Sequence, residues 1–210
     1  MKLYTFPFSS NARKAVIAAH LLGSDVEHVT VNLAAGDQRK PEFLALNPNG
    51  KVPVLQDGDF VLTESNAIMM YLADKKPGNT LYPADLQARA LVNQWLFWQA
   101  NHWGPAIAAL NFENVLKKMF GAGEPDPVHV KRNEDFFKQF AAVLDARLAA
   151  RQWVAGDHVT IADIALAAPL MAPPAAKIPV EGFANVLAWL GRVKELDAWK
   201  RSEPPPMPAR

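Results

Sequence analysis

Residues Asn49–Ile68 read NGKVPVLQDGDFVLTESNAI, and the fold is decided there. VPVLQDGDFVL forms two short strands joined at Asp57-Gly58, a common hairpin pair. Pro53 lies at the start of the first strand, where a missing N–H is tolerated only at an end or an edge. ESNAIMMYLADKK then returns to helical spacing, so a hairpin feeds a helix. The acidic and hydroxyl side chains of Glu64 and Ser65 fall where that helix begins.

Upstream, KLYTF reads as a strand and NARKAVIAAHLLG as a helix, with apolar Ala15, Val16, Ala19 and Leu22 on helical spacing and Gly23 at its end. VEHVTVNL alternates like a second strand, AAGDQRK is a polar loop, and Pro41 opens a short helical turn in PEFLAL. The first eighty residues therefore sum to βαβαββα. Beyond PGNTLYPAD every periodic segment is helical: about 87–118, 128–150, 160–171 and 183–195. The expected division is a first domain over 1–78, a linker over 79–86 and an all-helical domain over 87–210. APPAAKIP and the terminal EPPPMPAR read as extended loop and tail.

Composition excludes several classes of function. Half of the 210 residues are apolar, enough for one large core or two smaller ones. Lys and Arg number 22 against 21 Asp and Glu, so no net field draws in nucleic acid or an anionic membrane. Cys is absent, which removes disulfides, Cys-ligated metals and a protein thiol nucleophile, so thiol chemistry must use a substrate's thiol. MKLYTFPFSS is too short and polar for a signal peptide, and no run reaches about 18 uninterrupted apolar residues. The expected location is the cytoplasm. No spaced partner accompanies His102, so no metal is expected.

Four motifs in order, FSSNARKAVIAAHLLG, LNPNGKVPVLQDGDFVLTESNAIMMYLA, LYPADLQARALVNQWL and WVAGDHVTIADIALA, span nearly the whole chain. Through them the sequence resembles the cytosolic glutathione transferases, the serine-type theta, phi and nu-like bacterial members in particular. The resemblance implies an α/β thioredoxin-like N-terminal domain, an all-α C-terminal helical domain and a homodimer. It also implies an enzyme with glutathione as substrate and no further cofactor, conjugating its sulfur to apolar electrophiles or reducing organic hydroperoxides. A non-catalytic scaffold or dimerisation module, and a glutathione-dependent isomerase or dehalogenase, are the other readings of the same fold.

The resemblance assigns residues, and physical reasons accompany them. Val52-Pro53 reads either as an ordinary trans step or as a cis step that turns the Val52 N–H and C=O outward to pair with an extended peptide; the resemblance favours cis. Ser65, at a helix N-terminus, would hold the γ-glutamyl carboxylate, and Glu64 would pair with its ammonium. The alternative is that Thr63 merely caps the helix. Lys51, Gln38 and Arg39 would receive the glycyl carboxylate. Gln38 stands where theta- and phi-like members have a His, which keeps a donor and loses charge.

The chemistry falls at PFSSNAR. A thiol of ordinary pKa, about 8.5, must ionise to attack, and a hydroxyl that donates to the thiolate favours the charged form. The helix N-terminus adds its dipole. Ser9 and Arg13 match the family's Ser-x-x-x-Arg, so Ser9 corresponds to its catalytic serine. Ser10 is the runner-up and otherwise reads as the plain helix cap, and Asn11 would orient a water or the sulfur. Phe8, His102, Trp103, Phe112 and Phe120 are expected to line the electrophile pocket, because NHWGPA and GAGEPDP interrupt the helical pattern. Trp95 is expected in the core.

Overall fold

The computed structural model describes residues 1–172 and 174–205. Pro173 and the last five residues of EPPPMPAR lie outside the described residues. The chain divides into two compact units, Met1–Tyr82 with the stretch from Glu195 onward, and Pro83–Lys194.

Unit one begins with β1 (Lys2–Thr5), α1 (Ser10–Leu22) and β2 (Glu27–Thr30), continues through a 3-10 turn (Asp37–Arg39) and α2 (Pro41–Leu44), and closes with β3 (Val54–Asp57), β4 (Phe60–Leu62) and α3 (Ser65–Asp74). This is the expected βαβαββα order. The sheet runs β2-β1-β3-β4, with β1 parallel to β2 and antiparallel to β3, and β4 antiparallel to β3. Leu3 and Leu55, a cross-strand pair, are both fully buried, as are Ala15 and Ile17 of α1 and Ile68 and Met69 of α3. The amphipathic stripe of each helix thus meets the sheet, and that burial is what makes these short helices stable. α1 ends at Gly23, whose φ of 58° is the left-handed C-cap that glycine adopts without a Cβ penalty.

Unit two contains α4 (Leu86–Trp98), α5 (Gly104–Asn111), α6 (Lys117–Met119), α7 (Pro127–Leu148), α8 (Ile161–Ala167) and α9 (Ala184–Lys194). Asp85 and Asp126 cap α4 and α7 through their carboxylates. Asp163 closes the capping box of α8: its oxygens accept from the N–H of Thr160, the Thr160 hydroxyl, the N–H of Val154 and the Trp189 indole, all at 2.9 Å. Burial pushes the Asp163 carboxyl up, and these four donors act in the opposite direction.

Three features differ from the sequence expectation. NHWGPA does not interrupt the helix: π turns at Gln99–Trp103 and Phe112–Leu116 carry the chain through from α4 to α6. Gly104 permits this, because a Cβ there would sit 3.0 Å from the Gln99 carbonyl oxygen. APPAAKIP contains a 3-10 turn, Pro174–Ala176, with Ala176 buried and its carbonyl accepting from Asn114 Nδ2 at 3.0 Å. The chain from Glu195 does not stay with the helical unit. It forms α10 (Asp197–Arg201), which packs on α1 because Arg13 donates to the Trp199 carbonyl at 3.1 Å and to Ser202 Oγ at 3.0 Å, and stacks 4.0 Å from the Trp199 ring.

Candidate functional site

Strand directions in unit one gather the sequence-selected residues of that unit at one end of the sheet. Tyr4 pairs with Val54, so the turn after β1 and the start of β3 share that end. β2 is parallel to β1 and β4 antiparallel to β3, so the loop after β2 and the first turn of α3 reach it too. Ser9, Gln38, Val52 and Ser65 arrive there from four separate connections.

At the first connection Ser9, not Ser10, is the helix N-cap. Its backbone is extended (φ −90°, ψ 113°), its N–H donates to the Phe6 carbonyl at 2.9 Å, and its Oγ accepts from the Ala12 N–H at 3.2 Å. A hydroxyl that accepts in this way retains its own proton to donate. Ser10 is the first helical residue, which corrects the reading of it as the cap, and Asn11 comes next, exposed. Phe8 is 39% exposed and meets Phe6 edge-on at 5.6 Å.

The Val52-Pro53 bond is cis. The β1–β3 ladder ends at Val54, leaving the Val52 backbone beyond it, while the Val52 side chain joins Ala12, Val31, Phe43 and Val54 in a buried cluster. Asn47 Nδ2 donates to the Lys51 carbonyl at 2.7 Å and so fixes the approach to this step. A Cβ at Gly50 would lie 3.1 Å from the Gln38 carbonyl, so glycine there lets the 37–39 turn come alongside Lys51. Gln38 Nε2 donates to the Leu33 carbonyl at 3.4 Å, and its Oε1 is buried with no partner among the described residues. Lys40 is committed to Asp37 at 2.7 Å, which holds the Asp37 carboxyl below its ordinary range; Arg39 and Lys51 are exposed.

At the fourth connection Glu64, not Thr63, occupies the cap position of α3, with φ 67° and no side-chain capping bond. A non-glycine residue in this region is uncommon and is held by its surroundings. Glu64 is exposed and Ser65, the first residue of α3, is 7% exposed.

Sequence reasoning passed over Lys14. It lies next to Arg13 in α1 and is 2% exposed; burial pushes its ammonium down to about 7, against the opposing pull of Glu64. The signal was present, since Lys14 stands inside the run Ala12–Ala15 that faces the core.

In unit two the expected pocket residues separate. Trp103 is fully buried, its indole donating to the Leu166 carbonyl at 2.9 Å and its ring 4.8 Å from Phe137, so it is core and not a pocket wall. The reason is the π turn ending at Trp103: it holds one residue more than an α turn, and the extra residue rotates later side chains about the helix axis by about 100°. His102 is exposed and packs 5.2 Å from Phe140, and Phe112 and Phe120 are 43% and 64% exposed. Trp95 is buried, as expected. Among the described residues no group of three or more His, Asp or Glu is arranged to hold a metal.

A thioredoxin-like unit with its polar groups at that end of the sheet, joined in sequence to an all-helical unit, defines the two-domain class of thioredoxin-fold proteins. The chain belongs to the glutathione S-transferase family. Residues 1–74 match the family model for the glutathione S-transferase N-terminal domain and residues 112–197 that for the C-terminal domain. It is 34% identical to probable glutathione S-transferase GSTF2 of Oryza sativa subsp. japonica, over 90% of this chain and 89% of that one. It is 36% identical to human glutathione S-transferase theta-2B, over 92% of this chain and 80% of the relative. A crystal structure of human glutathione transferase theta-2 with glutathione and an unknown ligand superposes with a TM-score of 0.88 at 34% identity, covering 96% of this chain and 85% of that one.

Proposed function

We propose that the protein is a serine-type glutathione transferase in which Ser9 donates its O–H to the glutathione thiolate. The observation that carries this reading is the Ala12 N–H to Ser9 Oγ bond, which orients the hydroxyl at the α1 N-terminus and leaves its proton available. A hydrogen bond to the charged form and the helix dipole both lower the thiol pKa; two units correspond to about 2.7 kcal/mol. Ser10 and Asn11 complete the turn in this reading, the latter as an orienting group for sulfur or water. The Val52 backbone pairs with the cysteinyl peptide, Ser65 and the α3 N-terminus take the γ-glutamyl carboxylate, and Glu64 takes its ammonium. Gln38 accepts a peptide N–H or donates to the glycyl carboxylate, with Arg39 and Lys51 supplying charge. Its buried, unpartnered Oε1 supports that role.

The thiolate attacks an electrophilic carbon and expels its leaving group, or attacks a hydroperoxide oxygen to release the alcohol. In the second case another glutathione completes the disulfide and water leaves. Exposed Phe8 beside Ser9 supports an apolar co-substrate, and His102, Phe112 and Phe120 are exposed side chains of the type that binds one. In this reading 1–78 is the glutathione-binding domain, 79–86 the linker and 87 onward the helical domain, with the stretch from Glu195 returned to the first unit.

The protein works as a homodimer without a further cofactor, in the cytoplasm. The dimer is supported by exposed apolar Leu91 and Phe97 on α4 and Phe136 and Val143 on α7. No helix among the described residues is long and apolar enough to cross a membrane. The test is glutathione-dependent turnover across aryl halides, epoxides, isothiocyanates and hydroperoxides, with mass by light scattering. No turnover on any of them, together with no shifted thiol absorbance at saturating glutathione, overturns the enzyme; a monomer at micromolar concentration overturns the dimer.

A further inference from the structure

We propose that Arg13 is a positioning residue for the Ser9 hydroxyl, pinned by α10 so that a segment from far along the chain braces the turn that presents the donor. The inference rests on the reading of Ser9 as the thiolate donor.

Ser9 and Arg13 are joined through the backbone. The Arg13 N–H donates to the Ser9 carbonyl at 2.9 Å, and the Ala12 N–H donates to Ser9 Oγ at 3.2 Å. The first turn of α1 therefore sets the direction of the hydroxyl, and Arg13 closes that turn. The Arg13 side chain, meanwhile, is committed to α10. Its Nε donates to Ser202 Oγ at 3.0 Å, its Nη2 donates to the Trp199 carbonyl at 3.1 Å, and the guanidinium lies 4.0 Å from the Trp199 ring centroid. Ser202 Oγ donates in turn to the same Trp199 carbonyl at 2.7 Å, which closes a triangle of hydrogen bonds. A planar fork held by two acceptors and a ring face keeps one orientation, which a flexible point charge would not.

The hold is mutual. Arg13 and Trp199 are 5% and 2% exposed, and a buried guanidinium is costly unless acceptors such as these satisfy its donors. α10 has five residues, far short of the roughly 12–15 at which an isolated helix becomes even marginal in water, so it persists only while docked. Loss of the Arg13 contacts releases α10 and leaves the first turn of α1 to fray, as helix ends do. A donor that acts on a reacting atom must be held within about 0.5 Å, and a misplacement of about 1 Å costs on the order of a hundredfold. A slight loosening thus weakens the bond to the thiolate well before the domain unfolds.

The test is the pKa of the glutathione thiol bound to the whole protein, followed by thiolate absorbance, together with the pH profile of turnover. Arg13→Met is expected to raise that pKa by about one unit, which lowers turnover near neutral pH about tenfold and restores it at higher pH. S-methylglutathione, which has no thiol, is expected to bind variant and wild type alike in calorimetry. Asp145→Ala is the control for stability alone: Asp145 accepts from the N–H groups of Asn185 and Val186 at 2.8 and 3.0 Å in the other unit, and its loss is expected to lower the melting temperature with the thiol pKa unchanged. A wild-type thiol pKa in Arg13→Met, or the same shift in Asp145→Ala, overturns the proposal. Should Arg13→Met fail to fold, as shown by its melting curve, Arg13→Lys decides: it keeps the charge and stem but not the fork, and its expected shift is about half a unit. A wild-type value there overturns the proposal equally. A wild-type protein with no shifted thiol at saturating glutathione is a different failure, which removes the Ser9 reading itself.

Discussion

The Ala12 N–H donates to Ser9 Oγ at 3.2 Å, so one hydroxyl both caps α1 and stands at the end of the sheet where three other connections meet. Capping and thiolate binding use different parts of the group, the lone pair for the cap and the proton for the sulfur.

Substitutions at Ser9 therefore separate the two uses. Ser9→Gly keeps most of the cap, since glycine there costs only a few tenths of a kcal/mol, whereas Ser9→Ala loses about 1 kcal/mol of stability. Both lose the donor, and both are expected to lower turnover near neutral pH by up to about 10²–10³-fold while glutathione affinity stays close to wild type. Raising the pH recovers part of the loss, because more bound thiol ionises unaided. Steady-state kinetics and melting curves on both variants check this. Full activity in Ser9→Gly, with loss in Ser10→Ala or Asn11→Ala, moves the assignment along the turn.

Ser65→Ala tests the cradle. The side chain is 7% exposed at the first position of α3, where free N–H groups already favour an anion. Removing its hydroxyl is expected to weaken glutathione by about 1.5–3 kcal/mol, the range for a hydrogen bond to a charged group. Unchanged affinity in a calorimetric titration takes Ser65 out of the site.

Asp163 concerns stability and not chemistry. Asp163→Ala strips four donors of their acceptor in a fully buried setting. The expected loss is several kcal/mol, since each buried donor left without an acceptor costs about 1–3 kcal/mol. A melting temperature within a degree or two of wild type, an order-of-magnitude bound for a neutral surface change, contradicts this.

How far the sequence could be read depends on the range of the interactions concerned. The βαβαββα order was legible because alternation in VEHVTVNL, the Asp57-Gly58 turn and the Ala15–Leu22 stripe are local signals. The Asp163 capping box is equally local, since cap and partner are three residues apart. Trp103 was not, because its direction depends on an inserted π turn whose cost is met by packing on Phe137 and Leu166, far along the chain. The Arg13–Trp199–Ser202 contact was equally hidden: a five-residue helix has too little periodicity to announce itself, and its partner lies 186 residues earlier. Glu64 shows a finer limit. TES reads as a capped helix start with Thr63 as cap, and only the backbone angle of Glu64 shows that the turn is held by other means.

Lys14 gives the last prediction, a pH dependence of stability. Its folded-state pKa, about 7, lies below the ordinary 10.5, so between these values the unfolded chain binds more protons than the folded one. Stability must then rise with pH across that window, by up to roughly 5 kcal/mol if the whole shift is expressed. Below pH 7 both states carry the proton and this contribution is constant. Lys14→Met removes the buried ammonium with little change in volume. The variant is expected to be more stable than wild type near neutral pH and to show a flatter rise toward pH 10. Denaturant unfolding of the two proteins at several pH values measures the difference directly. A Lys14→Met protein that is less stable than wild type at neutral pH, with a parallel pH profile, would show that the lysine contributes packing alone.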